Sequence, residues 1–143
     1  MNKYSWAAKD RFHDAVKQAL LKEQWVITAD PLILKIDKVK FEIDLAAEKV
    51  FAAEKAGQKI AVEIKSFLNP SAVTDFHSAL GQFLNYRLGL QMNEPDRTLY
   101  LAIPLDIFES FFQERFTQEA VRQYQVKLIV YEPVQEVIIE WKE

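Results

Sequence analysis

The order of apolar patterns along the chain predicts an α/β protein: a central mixed sheet with an antiparallel hairpin, and helices packed on its faces. Three observations carry that expectation. Apolar residues recur at spacings of three and four in the first twenty-five residues, again after residue 70 and again after residue 104. Between these stretches lie short runs rich in Val, Ile, Leu and aromatic residues, bounded by turn chemistry. The runs in the middle of the chain follow one another directly, with only Gly57 as an obvious turn residue, as in a hairpin.

The first helix is expected over Ala7 to Trp25, where Ala8, Phe12, Ala15, Val16, Ala19 and Leu20 form one stripe and Ser5 is placed to cap it. Trp25 opens an extended stretch, "WVITADPLI", broken at Asp30-Pro31. "FEIDLAAEKVFAA" and "KIAVEIKSF" read as the two hairpin strands, and Asn69-Pro70 ends the second. Val73 to Leu90 reads as a helix buried along Phe76, Leu80, Phe83, Leu84 and Leu88. The segment from Asn93 to Asp96 is a turn, and "TLYLAIP" is a buried strand. Leu105 to Tyr124 reads as a further helix with Asp106 at its start, followed by two strands, "KLIVYEP" and "EVIIEWK", joined near Pro133.

Composition limits what such a fold can do. The 143 residues, half of them apolar and 27% charged, suit one domain over 1–143 with its own core. The absence of cysteine excludes a disulfide framework, a thiolate zinc site and a cysteine nucleophile. Met1 to Asp10 is polar and no apolar run approaches membrane-spanning length, so the expectation is a cytoplasmic protein without a membrane partner. A net charge of −3 provides no overall positive field for nucleic acid.

The chemistry is concentrated on the hairpin. Ile60, Val62 and Ile64 form one face of the second strand, and Ile43, Leu45 and Phe51 one face of the first. Matching these faces requires a two-residue turn, Ala56-Gly57 or Gly57-Gln58, which puts Glu42, Asp44, Glu48, Glu54, Glu63 and Lys65 together on the reverse face. Carboxylates converging beside a lysine are a constellation for Mg²⁺ and for activating a water; a solvated sheet face is the plainer explanation. In this register Glu63 faces Val50 or Ala52, which leaves Asp44 roughly 20 Å away along a straight strand at ~3.3 Å per residue. Asp44 reaches Glu63 only if the strand bends near Ala46-Ala47; otherwise Glu48 is the better-placed acid. The second Glu-x-Lys, Glu140 to Lys142, reads as chance on an edge strand.

The block "IDLAAEKVFAAEKAGQKIAVEIKSF", with "ALGQFLNYRL" and "RTLYLAIP" after it, closely resembles the XisH family, the fdxN-element excision controlling factors of cyanobacteria. The likeness runs from "KDRFHDAVKQAL" to "EVIIEW". It implies a restriction-endonuclease-like fold of the PD-(D/E)XK superfamily and a role in excising a DNA element, alongside a site-specific recombinase and an XisI-like partner protein. By the same resemblance Glu63 and Lys65 take the Glu-x-Lys positions, and Asp44 takes the preceding acid of a Mg²⁺ (or Mn²⁺) site, although the leading Pro-Asp pair is replaced by Glu42-Ile43-Asp44. Gln82 and Tyr86, within "QFLNYR", match a Gln-x-x-x-Tyr helix motif whose polar residues touch DNA, and an ordinary helix-to-sheet contact explains them equally. Asp10 or Asp14 could supply a further acid.

The readings to be compared are a Mg²⁺-dependent DNA endonuclease, a non-catalytic accessory protein assisting a recombinase, and an interaction module whose acidic hairpin docks a basic partner. The cluster Lys3, Lys9, Arg11 and Lys17 could touch phosphate, and His13 and His77 read as surface or packing histidines. Met92 and the run Phe108, Phe111, Phe112 and Phe116 read as core or as a partner surface, a homo-oligomer among the options.

Overall fold

A computed structural model describes the backbone of residues 3–49 and 57–143, and side chains from residue 11 onward within those ranges. Helix α1 (Lys3–Lys22) is followed by strands β1 (Val26–Ala29), β2 (Leu32–Ile36), β3 (Val39–Ile43), β4 (Leu45–Lys49) and β5 (Gln58–Ile64). Helix α2 (Ala72–Asn93), strand β6 (Arg97–Pro104), helices α3 (Leu105–Glu109) and α4 (Arg115–Gln123), and strands β7 (Leu128–Glu132) and β8 (Val137–Lys142) complete the order. Six strands form one mixed sheet in the order β1-β4-β5-β6-β7-β8, and β2-β3 form a separate hairpin. The β5-β6 and β6-β7 pairs are parallel and the rest antiparallel. The mixed sheet, the hairpin-type β4-β5 pair and the flanking helices agree with the expected class.

Both sheet faces are dry at the centre, which is why β5 and β6 read as nearly continuous apolar runs. On one face Ala15, Val16 and Leu20 of α1 meet Leu45, Ala47, Ile60, Val62, Tyr100 and Ile129. On the other, Phe76, Ala79 and Phe83 of α2 meet Ile43, Ala61, Leu101, Ile103 and Val130. Ser71 caps α2, its hydroxyl accepting from the Thr74 N–H at 3.4 Å.

Several local expectations are corrected. Helix α1 already includes Lys3, so Ser5 lies inside its first turn instead of capping it. Leu88 is exposed, because α2 turns Gly89 and Leu90 inward near its end. The expected helix from Leu105 is broken into α3, a 3-10 turn at Phe111–Gln113 and α4, and Pro104, not Asp106, is the capping position of α3. The break lets Phe111 and Phe112 turn against Phe67 and Phe76, with ring centroids 5.5–6.3 Å apart. Phe116 is left exposed on α4.

The close approach of α2 to the β2-β3 hairpin depends on Gly89. A Cβ there would sit 3.3 Å from the Phe41 ring. Gly89→Val, with two further branches behind that Cβ, is therefore expected to lower stability by about 1–3 kcal/mol through overpacking. Urea denaturation checks this, and an unchanged midpoint would show that Phe41 yields freely.

Candidate active site at the bend between β3 and β4

The "FEIDLAAEK" run is one apolar stretch in sequence but two strands in space, and the break falls at Asp44. In a straight strand Ile43 and Leu45 would share a face. Here Ile43 packs with the α2-side core and Leu45 with the α1-side core. The bend anticipated near Ala46-Ala47 thus lies two residues earlier.

The register is also corrected. Leu45 pairs with Val62 and Lys49 with Gln58, so residues 50–57 lie between the last paired positions and no two-residue turn at Gly57 joins the strands. The odd-to-even matching of the two strands holds, but it fixes register only to within steps of two residues, and the assumed two-residue turn was too short. The expected partners of Glu63, Val50 and Ala52, lie outside the described residues, as do Phe51 and Glu54. Continuing the observed register by one step brings Asp44 level with Glu63.

The two carboxylates interlock through backbone donors. The Asp44 N–H donates to Glu63 Oε1 at 3.3 Å, and the Ile64 N–H donates to Asp44 Oδ2 at 2.7 Å. Glu63 Oε2 lies 3.9 Å from the Lys65 Nζ. The Glu63 side chain is only 8% exposed and that of Lys65 22%. Together with Phe12, His13, Ile64 and Ser66 they line a cleft of about 330 Å³. Burial and the neighbouring Asp44 carboxylate push the Glu63 carboxyl up to about 8, against a smaller opposing pull from Lys65. Two acids interlocked on one small cleft suit a bound cation, and each keeps an oxygen beyond the one engaged by a backbone N–H. This donor set fits a hard divalent ion that takes one or two carboxylates and retains waters. Among the described residues no group of three or more His, Cys, Asp or Glu is gathered for a metal.

The other candidates fall as follows. Glu48 is not brought to Glu63: it pairs with Lys59 and approaches Arg97 at 3.9 Å, four residues up the strand from Asp44. Tyr86 packs edge-on to Phe41 at 5.7 Å, and burial and then the charges of Glu63, Asp44 and Glu42 raise its hydroxyl above the usual tyrosine value. Gln82 lies one turn earlier on α2, and its Oε1 is buried without a hydrogen-bond partner among the described residues. Asp14 is exposed and borders a different cleft with Pro133 and Glu136, while the Asp10 side chain lies outside the described residues. Lys17 is paired with Asp30 at 3.0 Å, Arg11 is exposed, and the side chains of Lys3 and Lys9 are outside the described set. His77 is exposed.

From the sequence His13 reads only as a surface or packing histidine. It lines the acid–lysine cleft, with Nε2 placed 2.8 Å from Asp30 Oδ1 by the turn after β1. Its only sequence signal was its place one residue after Phe12 on the helix stripe. The second Glu-x-Lys lies on the edge strand β8, where Trp141 packs on Trp25 and Tyr100.

The geometry defines a class: a mixed-sheet α/β protein with two interlocked carboxylates and a lysine in a cleft at a strand bend. The XisH protein family model matches residues 6–139, and the chain belongs to that family. A crystal structure of an XisH family protein from Nostoc punctiforme PCC 73102 is 46% identical, with a TM-score of 0.84 over 93% of this chain and 99% of that one. A fdxN element excision controlling factor protein from Anabaena variabilis is 50% identical, with a TM-score of 0.84 over 94% of this chain and 99% of that one. None of the curated proteins compared matches the sequence. No helix among the described residues is long and apolar enough to cross a membrane.

Proposed function

We propose that this protein is a controlling factor for excision of a DNA element, built on a restriction-endonuclease-like (PD-(D/E)XK) fold, whose Asp44–Glu63–Lys65 cleft hydrolyses a DNA phosphodiester. The observation that carries the reading is the convergence of Asp44, Glu63 and Lys65 on one small cleft through hydrogen bonds between neighbouring strands. The excision role rests on membership of the XisH family and on the likeness to the Anabaena excision controlling factor. Asp44 and Glu63 would hold Mg²⁺ or Mn²⁺, which supplies charge neutralisation at the phosphate and acidifies a bound water. Lys65 would orient an attacking water and face the charge that builds on the phosphate. Tyr86 and Gln82 of α2 are the substrate-side residues of this reading.

A second reading has a specific observation in its favour. The chain carries a net charge of −3, whereas phosphate contacts draw on clustered Lys and Arg. In that reading the fold is a non-catalytic accessory protein that assists a site-specific recombinase together with an XisI-like partner.

Calorimetric titration with Mn²⁺ separates the two. Wild type is expected to bind the ion saturably, and Glu63→Ala and Asp44→Ala to lose the heat while remaining folded by circular dichroism. Equal heats in all three proteins would remove the metal site and leave the accessory reading.

A further inference from the structure

A second cleft lies apart from the acid–lysine site. It holds about 790 Å³ and lies between the Phe108–Phe112 corner, α4 and the start of β7. It shares no residue with the Asp44 cleft. Leu128, on its floor, aligns with Leu101 and Leu101 with Glu63, so the backbones of Leu128 and Glu63 are about 10 Å apart, two strand spacings across the sheet. Phe108, Phe112, Val121, Val126 and Leu128 make an apolar floor, and the volume is that of a site for a small organic molecule.

The charge at its rim is one-sided in an otherwise acidic chain. Arg122, Lys127 and Lys142 line it against a single acid, Glu143, whose carboxylate is engaged by the Tyr100 hydroxyl. Arg122 is held by Glu119 at 2.6 Å, and Lys142 lies 3.8 Å from Glu140 with its ammonium over the Phe108 ring. Lys127 makes no ion pair among the described residues. It also borders a neighbouring cleft of about 310 Å³ containing Arg87, whose guanidinium is bonded to the backbone oxygens of Tyr124 and Gln125 and, among the described residues, to no carboxylate. An apolar floor edged by three cations, of which Lys127 has no ion-pair partner among the described residues, complements a molecule with an apolar body and one anionic head.

We propose that this cleft binds a small apolar anion, an acyl or aryl carboxylate or sulfonate, with its head at Lys127 and Lys142 and its body on Phe112, Val121 and Leu128. Fluorescence titration with anilinonaphthalene sulfonate tests it, with competition by decanoate and by the neutral analogue decanol. The expected result is saturable binding of one probe per chain, displaced by decanoate and not by decanol. The double variant Lys127→Gln, Lys142→Gln should bind at least about tenfold more weakly, the effect of losing partly exposed charge pairing. Val121→Phe, which fills the cleft without altering charge, should block the probe, while Lys65→Ala and the distant exposed variant Lys38→Gln should bind as wild type does. No saturable binding, displacement by decanol as effective as by decanoate, undiminished binding by the double variant, or a dimer in sedimentation that excludes the probe would each overturn the proposal.

Discussion

In the presence of chelator, Glu63→Gln is expected to melt at a higher temperature than wild type at pH 9 and to lose the wild type's decline in stability between pH 5 and pH 9. The sign follows from the buried carboxyl. Its folded-state value is pushed up to about 8 from an ordinary 4.5, so between those limits the folded protein holds a proton that the unfolded chain has released. Stability from this group is complete below the ordinary value and is lost progressively as pH rises towards about 8, by an amount on the order of a few kcal/mol. Glutamine keeps the shape and the acceptor for the Asp44 N–H but cannot ionise. Asp30 works in the opposite sense: its pairing with Lys17 and His13 outweighs burial and lowers its value, so its contribution is lost only at acid pH. Thermal melts across this range decide the matter, and a wild-type curve flat from pH 5 to pH 9 would contradict the buried-acid account. Added Mn²⁺ should restore alkaline stability to wild type and not to Glu63→Gln, by selective binding to the folded state.

Lys65→Ala is expected to reduce DNA cleavage by about 10²–10⁴-fold, the range for removing a group that handles a proton or charge in the transition state. Its effect on folding should be small, because the Lys65 side chain reaches the cleft surface and its distance to Glu63, 3.9 Å, is that of a loose ion pair. The assay is nicking of supercoiled DNA with Mg²⁺ or Mn²⁺, beside a thermal melt of the same preparation. Cleavage undiminished in the variant would remove Lys65 from the chemistry. Absence of cleavage by wild type with either ion would favour the accessory reading, in which co-purification with a site-specific recombinase and an XisI-like protein is the expected result.

Much of the architecture could be read from local pattern. The stripe in α1, the buried face of α2 around Phe76 and Phe83, and the β7-β8 turn near Pro133 all follow from short-range spacing, because each is set by residues within one or two turns of one another. The long helix expected from Leu105 failed for the opposite reason. Its aromatic residues are drawn to Phe67 and Phe76, which lie far away in sequence, and the chain breaks to let them turn inward. His13 reads from the sequence only as a surface or packing residue because its meaning depends on Asp30 and on the cleft, neither of which is local to α1.

By itself the sequence determined an α/β order of elements, an acid and a base two residues apart at the end of a buried strand, and a family resemblance that the XisH model match bears out. Which acid stands beside Glu63 was decided only in three dimensions. The apolar faces set which parity of positions pairs across the hairpin, but they leave the register open by steps of two residues, and no local pattern sets the length of the connection. The bend at Asp44 turns Ile43 to one core and Leu45 to the other. That reversal brings the Asp44 carboxylate to the Ile64 N–H and leaves Glu48 up the strand near Arg97, because a backbone donor beside Glu63 can be reached from one residue of the strand and not from its neighbours.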